Sequence, residues 1–188
     1  MQEKQGANEV IADWPEESRE AAKLVIKQYG EPKELTPSRL TWFNVGPWKR
    51  IEAQRAFWDH QFPAPHIDAV ESFIDYRVPP EMFTPLARFD GSVVVERTTG
   101  EVSARCHDEQ ANTLALNLMH DMVTGRRDAD DARAYYAKEF LDYRKKLPTP
   151  YMDGFQFQPT GAQAPDPDER ILSDDQLEQA KKEGGNGG

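Results

Sequence analysis

Two histidines six positions apart, His60 and His66, bracket a proline-containing run, Gln61-Phe62-Pro63-Ala64-Pro65, and Asp68 follows two positions on. Cys106 and His107 are adjacent further along the chain. Imidazole, thiolate and carboxylate are donors that suit zinc or another transition metal, which makes His60 and His66 candidate metal ligands. The spacing matches no established metal signature. The pair spans a loop rather than a helical i, i+4 step, and neighbouring Cys and His side chains rarely reach one ion. The same residues offer nucleophilic chemistry. Cys106 closes a strand just before a helix N-terminus, where a thiolate is favoured and amides face an oxyanion, and His60 or His66 could take its proton. No family-specific sequence surrounds it. The competing reading of Cys106 is a small apolar side chain packed at a strand end.

Two further groups are candidate ligand contacts. Arg97 and Arg105 alternate with Glu96, Glu101 and Ser103, a pattern that either binds a carboxylate or phosphate through a guanidinium fork or forms cross-strand ion pairs on a solvated face. Trp42, Trp48, Phe57, Trp58 and Phe62 supply aromatic mass. Trp48 and Trp58 are the two expected to be partly exposed and to offer a binding surface, the others being core. His120, Asn112 and Asn117 read as surface or locally bonded residues on a helix.

The elements that must hold these residues follow from pattern. Leu40 to Asp68 contains three of the four tryptophans and two of the four histidines. Asn44-Val45-Gly46-Pro47 splits it into two extended runs, Arg39 to Asn44 and about Trp48 to Trp58, a β-hairpin followed by the proline-braced loop, which cannot be a central strand. Asp68 to Val78 alternates again. Upstream, a helix is expected from Pro15 to Tyr29, stopped by Gly30. Downstream, a short helical turn over Glu81 to Phe89 precedes a second hairpin. Its short loop ends in Gly100, with Arg97 expected opposite Glu101 and Val95 opposite Ser103. Two antiparallel helices follow, capped by Asp108 and Asp128. The first carries a stripe of Leu114, Leu118 and Met122; the second carries Ala132, Tyr136, Phe140, Tyr143 and Leu147.

Composition bounds the class. The 188 residues fit one domain, but 38% hydrophobic residues and a mean hydropathy of −0.79 are low, so part of the chain is expected to stay unfolded. Residues 1–12 read as a loose N-terminus, 13–157 as a single globular domain and 158–188 as a disordered, acidic, Gly-ending tail. A net charge of −10 argues against nucleic-acid partners. No run of about 18 apolar residues is present, so no membrane span is expected. A single cysteine excludes an intrachain disulfide and multi-cysteine metal motifs, and fits a cytoplasmic location.

The order of several pieces carries a resemblance. Tyr29-Gly30-Glu31-Pro32 is followed by Trp42 to Arg50, Phe62 to His66, Asp90 to Arg97, Ser103 to Cys106, Leu114 to Leu118 and Val123 to Arg126. Over roughly Glu17 to Phe157 this resembles a group of bacterial soluble proteins with no assigned activity, and it implies no cofactor or site. The reading of the residues is an α+β fold: an N-terminal helix, an antiparallel sheet of about five short strands and two C-terminal helices packed on one face. The expected function is a binding or interaction module with a protein or small-molecule partner. The alternatives are a small-molecule enzyme with a His/Cys/Arg polar cleft at the central loop, or a transition-metal-binding protein using His60 and His66.

Overall fold

The structure is a computed structural model and describes residues 6–184. Its centre is a six-stranded antiparallel sheet in the order β1-β2-β3-β4-β6-β5. The strands are β1 (Glu34–Thr36), β2 (Arg39–Val45), β3 (Trp48–His60), β4 (His66–Asp75), β5 (Val93–Glu96) and β6 (Glu101–Cys106). The helices are α1 (Ala7–Val10), α2 (Glu16–Tyr29), α3 (Phe83–Phe89), α4 (Glu109–Val123), α5 (Ala129–Arg144), α6 (Pro150–Asp153) and α7 (Asp174–Gly184). The fold is therefore α+β with an antiparallel sheet, richer in both helices and strands than the sequence suggested. The small extra strand β1 was hidden because Glu34-Leu35-Thr36 is too short to show alternation.

One face of the sheet is apolar and the other charged, as period-two alternation dictates. Leu40, Trp42, Ile51, Ala53, Val70, Ile74, Val102 and Ala104 fall on one side through the strand pairing. There α2 covers β3 and β4, and α4 covers β4 and β6. The opposite face carries a lattice of ion pairs: Arg50 with Glu52 and Glu101 (2.8 and 3.2 Å), Lys49 with Asp75 and Glu101 (2.6 and 2.8 Å), and Arg39 with Glu52 (3.2 Å).

Buried tryptophans tie the layers together by satisfying their indole N–H groups. Trp42 donates to Gly30 O, Trp14 to Pro37 O, and Trp48 to Glu109 Oε1. The same Glu109 oxygen accepts from Tyr29 Oη at 2.6 Å, so α2, β3 and the start of α4 meet at one carboxylate. The β2–β3 turn passes directly over Tyr29. A Cβ at Gly46 would lie 2.6 Å from the Tyr29 hydroxyl, and the residue has a positive φ of 53°.

Several expectations are corrected. Of the two C-terminal helices only α4 packs on the sheet; α5 lies outside it, against α3 and α4. Helix α4 is therefore covered on both sides, and Asn112, facing β4, and Asn117, facing the chain around α6, are buried rather than on the surface. Asn112 Nδ2 donates to Val70 O and Ser72 Oγ, and Asn117 Nδ2 to Tyr151 O and Gly154 O. His120 accepts or donates with Tyr76 Oη at 2.7 Å and stacks on Phe157. The late hairpin is shifted by one residue: Glu96 opposes Glu101, and Val95 opposes Val102, leaving a four-residue loop, Arg97 to Gly100. That register puts Val93, Val95, Val102 and Ala104 on the apolar side together.

The chain ends differ as well. Residues 1–12 are not uniformly loose, since Ala7 and Ile11 are buried and Ala7 N donates to Glu31 Oε2; Met1 to Gln5 lie outside the described residues. Packing continues past Phe157. Ala164 is buried against the hairpin loop, where a Cβ on Gly100 would sit 2.2 Å from the Ala164 carbonyl carbon. Asp166 accepts from Arg97 Nε at 3.0 Å and pairs with Arg77 at 3.4 Å. Helix α7 buries no residue, and the closing Gly185 to Gly188 lie outside the described residues.

Two outcomes are expected. Asn112→Ala leaves the Val70 carbonyl and Ser72 hydroxyl without their donor in a buried layer and should cost about 2 kcal/mol in urea unfolding. Burial opposes the charge of Glu101, but hydrogen bonds from Arg50 and Lys49 outweigh it and hold its pKa below the usual value. A depressed folded-state pKa gives stabilisation that is present above the unfolded-state value and lost as pH falls through the folded one. Wild-type urea midpoints should therefore fall below roughly pH 4.5, and less steeply in Glu101→Gln.

Candidate metal centre

The site forms where the long β3–β4 hairpin leaves the sheet. Pairing is regular up to Ala53 opposite Val70, then shifts, so that Trp58, Asp59 and His60 oppose Asp68, Ile67 and His66. The extra residues bend the hairpin, as a bulge does. The loop at its tip contains the Phe62–Pro63 cis peptide bond. The bend brings the two histidine rings to 4.8 Å between centroids, and Asp68 lies between them at 2% exposure.

The geometry around Asp68 is specific. His60 Nδ1 is 3.3 Å from Asp68 Oδ2, and His66 Nε2 is 3.2 Å from Asp68 Oδ1. Neither pair is aligned as a hydrogen bond, and His60 Nδ1, His66 Nε2 and Asp68 Oδ1 are all buried without a hydrogen-bond partner. The other nitrogen of each ring is oriented. His66 Nδ1 is 2.8 Å from Ala64 O, which only accepts, so Nδ1 carries a proton and the Nε2 lone pair is free in the neutral ring. His60 Nε2 faces Asp90 Oδ1 at 3.8 Å. Asp90 is itself buried and accepts from Ser92 N at 2.8 Å, while Ser92 Oγ donates to Asp68 Oδ2.

The titration of the group reflects this crowding. Burial works against a charged His66, but Asp68, Cys106 and the Ala64 carbonyl outweigh it and push its pKa up to about 11. Burial raises Asp68, yet the adjoining His66 and the Ser92 hydroxyl leave it lowered. Asp90 stays raised because burial exceeds what the Ser92 amide and His60 return. Burial also raises Cys106, and the neighbouring His66 offsets only part of the effect.

The predicted residues separate into two sets. His60, His66, Asp68 and Cys106 come together. Arg105 does not join them. It directly precedes Cys106 on β6, so its side chain is on the charged face, 3.6 Å from Glu71 and with its guanidinium over the Trp58 ring. The His/Cys/Arg cleft is therefore a His/Asp/Cys site. Arg97 is distant, held by Asp166 and Asp168. Trp48 is buried against Phe155 and bonded to Glu109, so it is no binding surface, whereas Trp58 is 47% exposed. Asp90 and Ser92 were missed; Asp90-Gly91-Ser92 reads locally as a turn, and only the tertiary fold turns its carboxylate toward His60.

Beside His66 and Cys106 lies a cavity of about 360 Å³. Its wall includes Pro63 and Pro65 of the hairpin loop and Tyr136, Phe140 and Tyr143 of α5. This corrects the expected inward stripe of α5. Ala132 and Tyr136 are core, but Tyr143 is exposed and borders the cavity, and Leu147 is exposed beyond the helix end. Comparison with family models, curated proteins and solved structures gave no match.

The raised thiol of Cys106 argues against a resting nucleophile. Iodoacetamide should label it roughly tenfold or more slowly in the native protein than in urea at the same pH, measured by mass spectrometry.

Proposed function

We propose that the chain binds a divalent transition metal through His60 Nδ1, His66 Nε2 and Asp68 Oδ1, at a centre open to a small-molecule ligand. One observation carries this reading: His60, His66 and Asp68 each offer a ligand atom within 4.8 Å of the others, and each of the three has a buried polar atom without a hydrogen-bond partner. Unpartnered buried polar atoms are costly, and a cation between them would satisfy all three. Donors placed about 2.0–2.1 Å from a tetrahedral ion stand about 3.3 Å apart, close to the 3.2 Å between His66 Nε2 and Asp68 Oδ1, and His60 Nδ1 stands 3.3 Å from the other oxygen of the same carboxylate. The hydrogen bond from His66 Nδ1–H to a backbone carbonyl is the outer contact that ligating histidines use to fix tautomer and aim. Ligation requires a deprotonated His66 Nε2, so the ion displaces the proton that Asp68 and Cys106 otherwise hold on that ring.

Three protein donors leave a position for water or a ligand, the arrangement of catalytic rather than structural zinc sites. Such an ion supplies Lewis acidity and a water acidified toward neutrality. Buried Asp90 would orient His60, and Ser92 would hold Asp68. The interaction-module reading retains one feature, the exposed Trp58 beneath Arg105, without Trp48 as its companion. The free, buried Cys106 accords with a reducing, cytoplasmic setting.

Native mass spectrometry with added zinc should show one ion per chain. His60→Ala, His66→Ala and Asp68→Ala should each weaken binding by about 100-fold or more, while His107→Ala, at the cavity rim, should bind as wild type. Stoichiometric zinc retained in both histidine variants would sink the assignment.

A further inference from the structure

We infer that the cavity beside His66 takes a small aromatic carboxylate, its ring against Tyr136, Phe140 and Tyr143 and its carboxylate on Arg144. The inference deepens the metal-site reading and rests on it for its functional sense, because His66 belongs to both the donor set and the cavity wall.

Three observations converge. First, the aromatic residues at 136, 140 and 143 recur at helical spacing on α5, and all three line the cavity. Tyr136 is closed off by Phe62 and Phe89, so its ring is fixed, whereas Tyr143 is 43% exposed with no such cover. A helix face that begins as core and continues as cavity wall offers rings to a flat apolar guest rather than to the protein interior.

Second, the cavity has a cation at its rim. Arg144 lines it and rests over Phe140, 5.1 Å from the ring centroid. Three of the four acids of α5 are engaged elsewhere, Asp131 with Arg127, Asp142 with Lys138, and Glu139 with the amides of Tyr151 and Met152, and Asp130 sits in the first turn at the opposite end of the helix from Arg144. In a chain of net charge −10, a guanidinium with no carboxylate partner among the described residues, at the mouth of an aromatic cavity, is set for an anion, which its fork binds through two parallel N–H bonds.

Third, size and polarity select the guest. A volume of about 360 Å³ is at the small end of ligand pockets and suits one ring with short substituents. Asp108, the remaining acid of the wall, is spent capping α4, where its Oδ1 accepts from Ala111 N at 2.9 Å. A guest with its carboxylate on Arg144 lies across the aromatic wall with its other end toward His66 and Cys106.

The test is isothermal titration calorimetry of the full chain with benzoate, and with neutral benzamide as the isosteric control, with and without zinc. Benzoate should bind one-to-one with a sub-millimolar Kd, on the order of 0.1–1 mM. Benzamide should bind at least tenfold more weakly. Arg144→Gln should weaken benzoate at least tenfold, and Tyr143→Ala severalfold. Both positions are exposed, and an unchanged thermal midpoint confirms that each variant folds. His60 is outside the cavity wall, so His60→Ala disables the metal site alone. Benzoate binding that depends on Arg144 but occurs in a protein that takes up no zinc would support the carboxylate pocket and defeat the metal reading. Stoichiometric zinc without benzoate binding would do the reverse. Benzoate affinity unmoved by both Arg144→Gln and Tyr143→Ala, or equal affinity for benzamide, would overturn the inference.

Discussion

A carboxylate withdrawn from water between two imidazoles governs one end of this molecule. Asp68 is on β4, on the sheet face that the helices cover, and ionised carboxylates are seldom placed there without partners. Its neighbours answer that cost from three directions: His60 and His66 from the bent hairpin, and Ser92 from the segment entering β5. Each belongs to a different stretch of chain. The bulge after Ala53 is what makes the meeting possible, because a regular ladder would have carried His60 past His66 along a straighter strand. The hairpin bend and the buried charge are thus a single arrangement.

The rest of the fold keeps that end rigid. The sheet is clamped on its apolar side by helices and on its charged side by a lattice of ion pairs that are mostly half-buried and shared among several partners. Isolated surface pairs contribute little, but a network with Arg50 and Lys49 both bonded to Glu101 limits the rotamers of all its members. On the covered side, polar groups do similar work. Asn112 bonds across to β4, and Glu109 gathers an indole and a phenol. These bonds set the height of α4 above the sheet, and with it the position of Asp108 and the floor of the cavity.

What could be read in the sequence was whatever rests on local periodicity. The first hairpin, helix α2, both C-terminal helices and their aspartate caps follow from spacing and turn residues alone. Asp108 and Asp128 indeed accept from the amides three residues on. His60 and His66 were legible as a pair because a hairpin places its two ends opposite each other. Depth was not legible. Asn112, Asn117 and His120 are polar residues on a helix, and only partners distant in sequence cover them: β4 beneath Asn112, the segment from Tyr151 to Gln156 over Asn117, and Tyr76 with Phe157 beside His120. Trp48 looked like a surface aromatic because nothing near it in sequence names Glu109 as its partner. The late hairpin slipped by one residue because Arg97 and Glu101 form an attractive charge pair on paper, whereas burial of Val95 beside Val102 decides the register. Arg97 instead meets an aspartate almost seventy residues away.

That last contact bears on how the chain is assembled. The seat of Ala164 is the loop between β5 and β6, and Gly100 is the residue that leaves room for it. Strands β5 and β6 leave the ribosome well before residues 158–168, so the seat exists only once an earlier hairpin has closed. The arm is placed as a latch: it can seat only on a closed hairpin at the edge of the sheet, and Asp166 holds it there through Arg97 and Arg77.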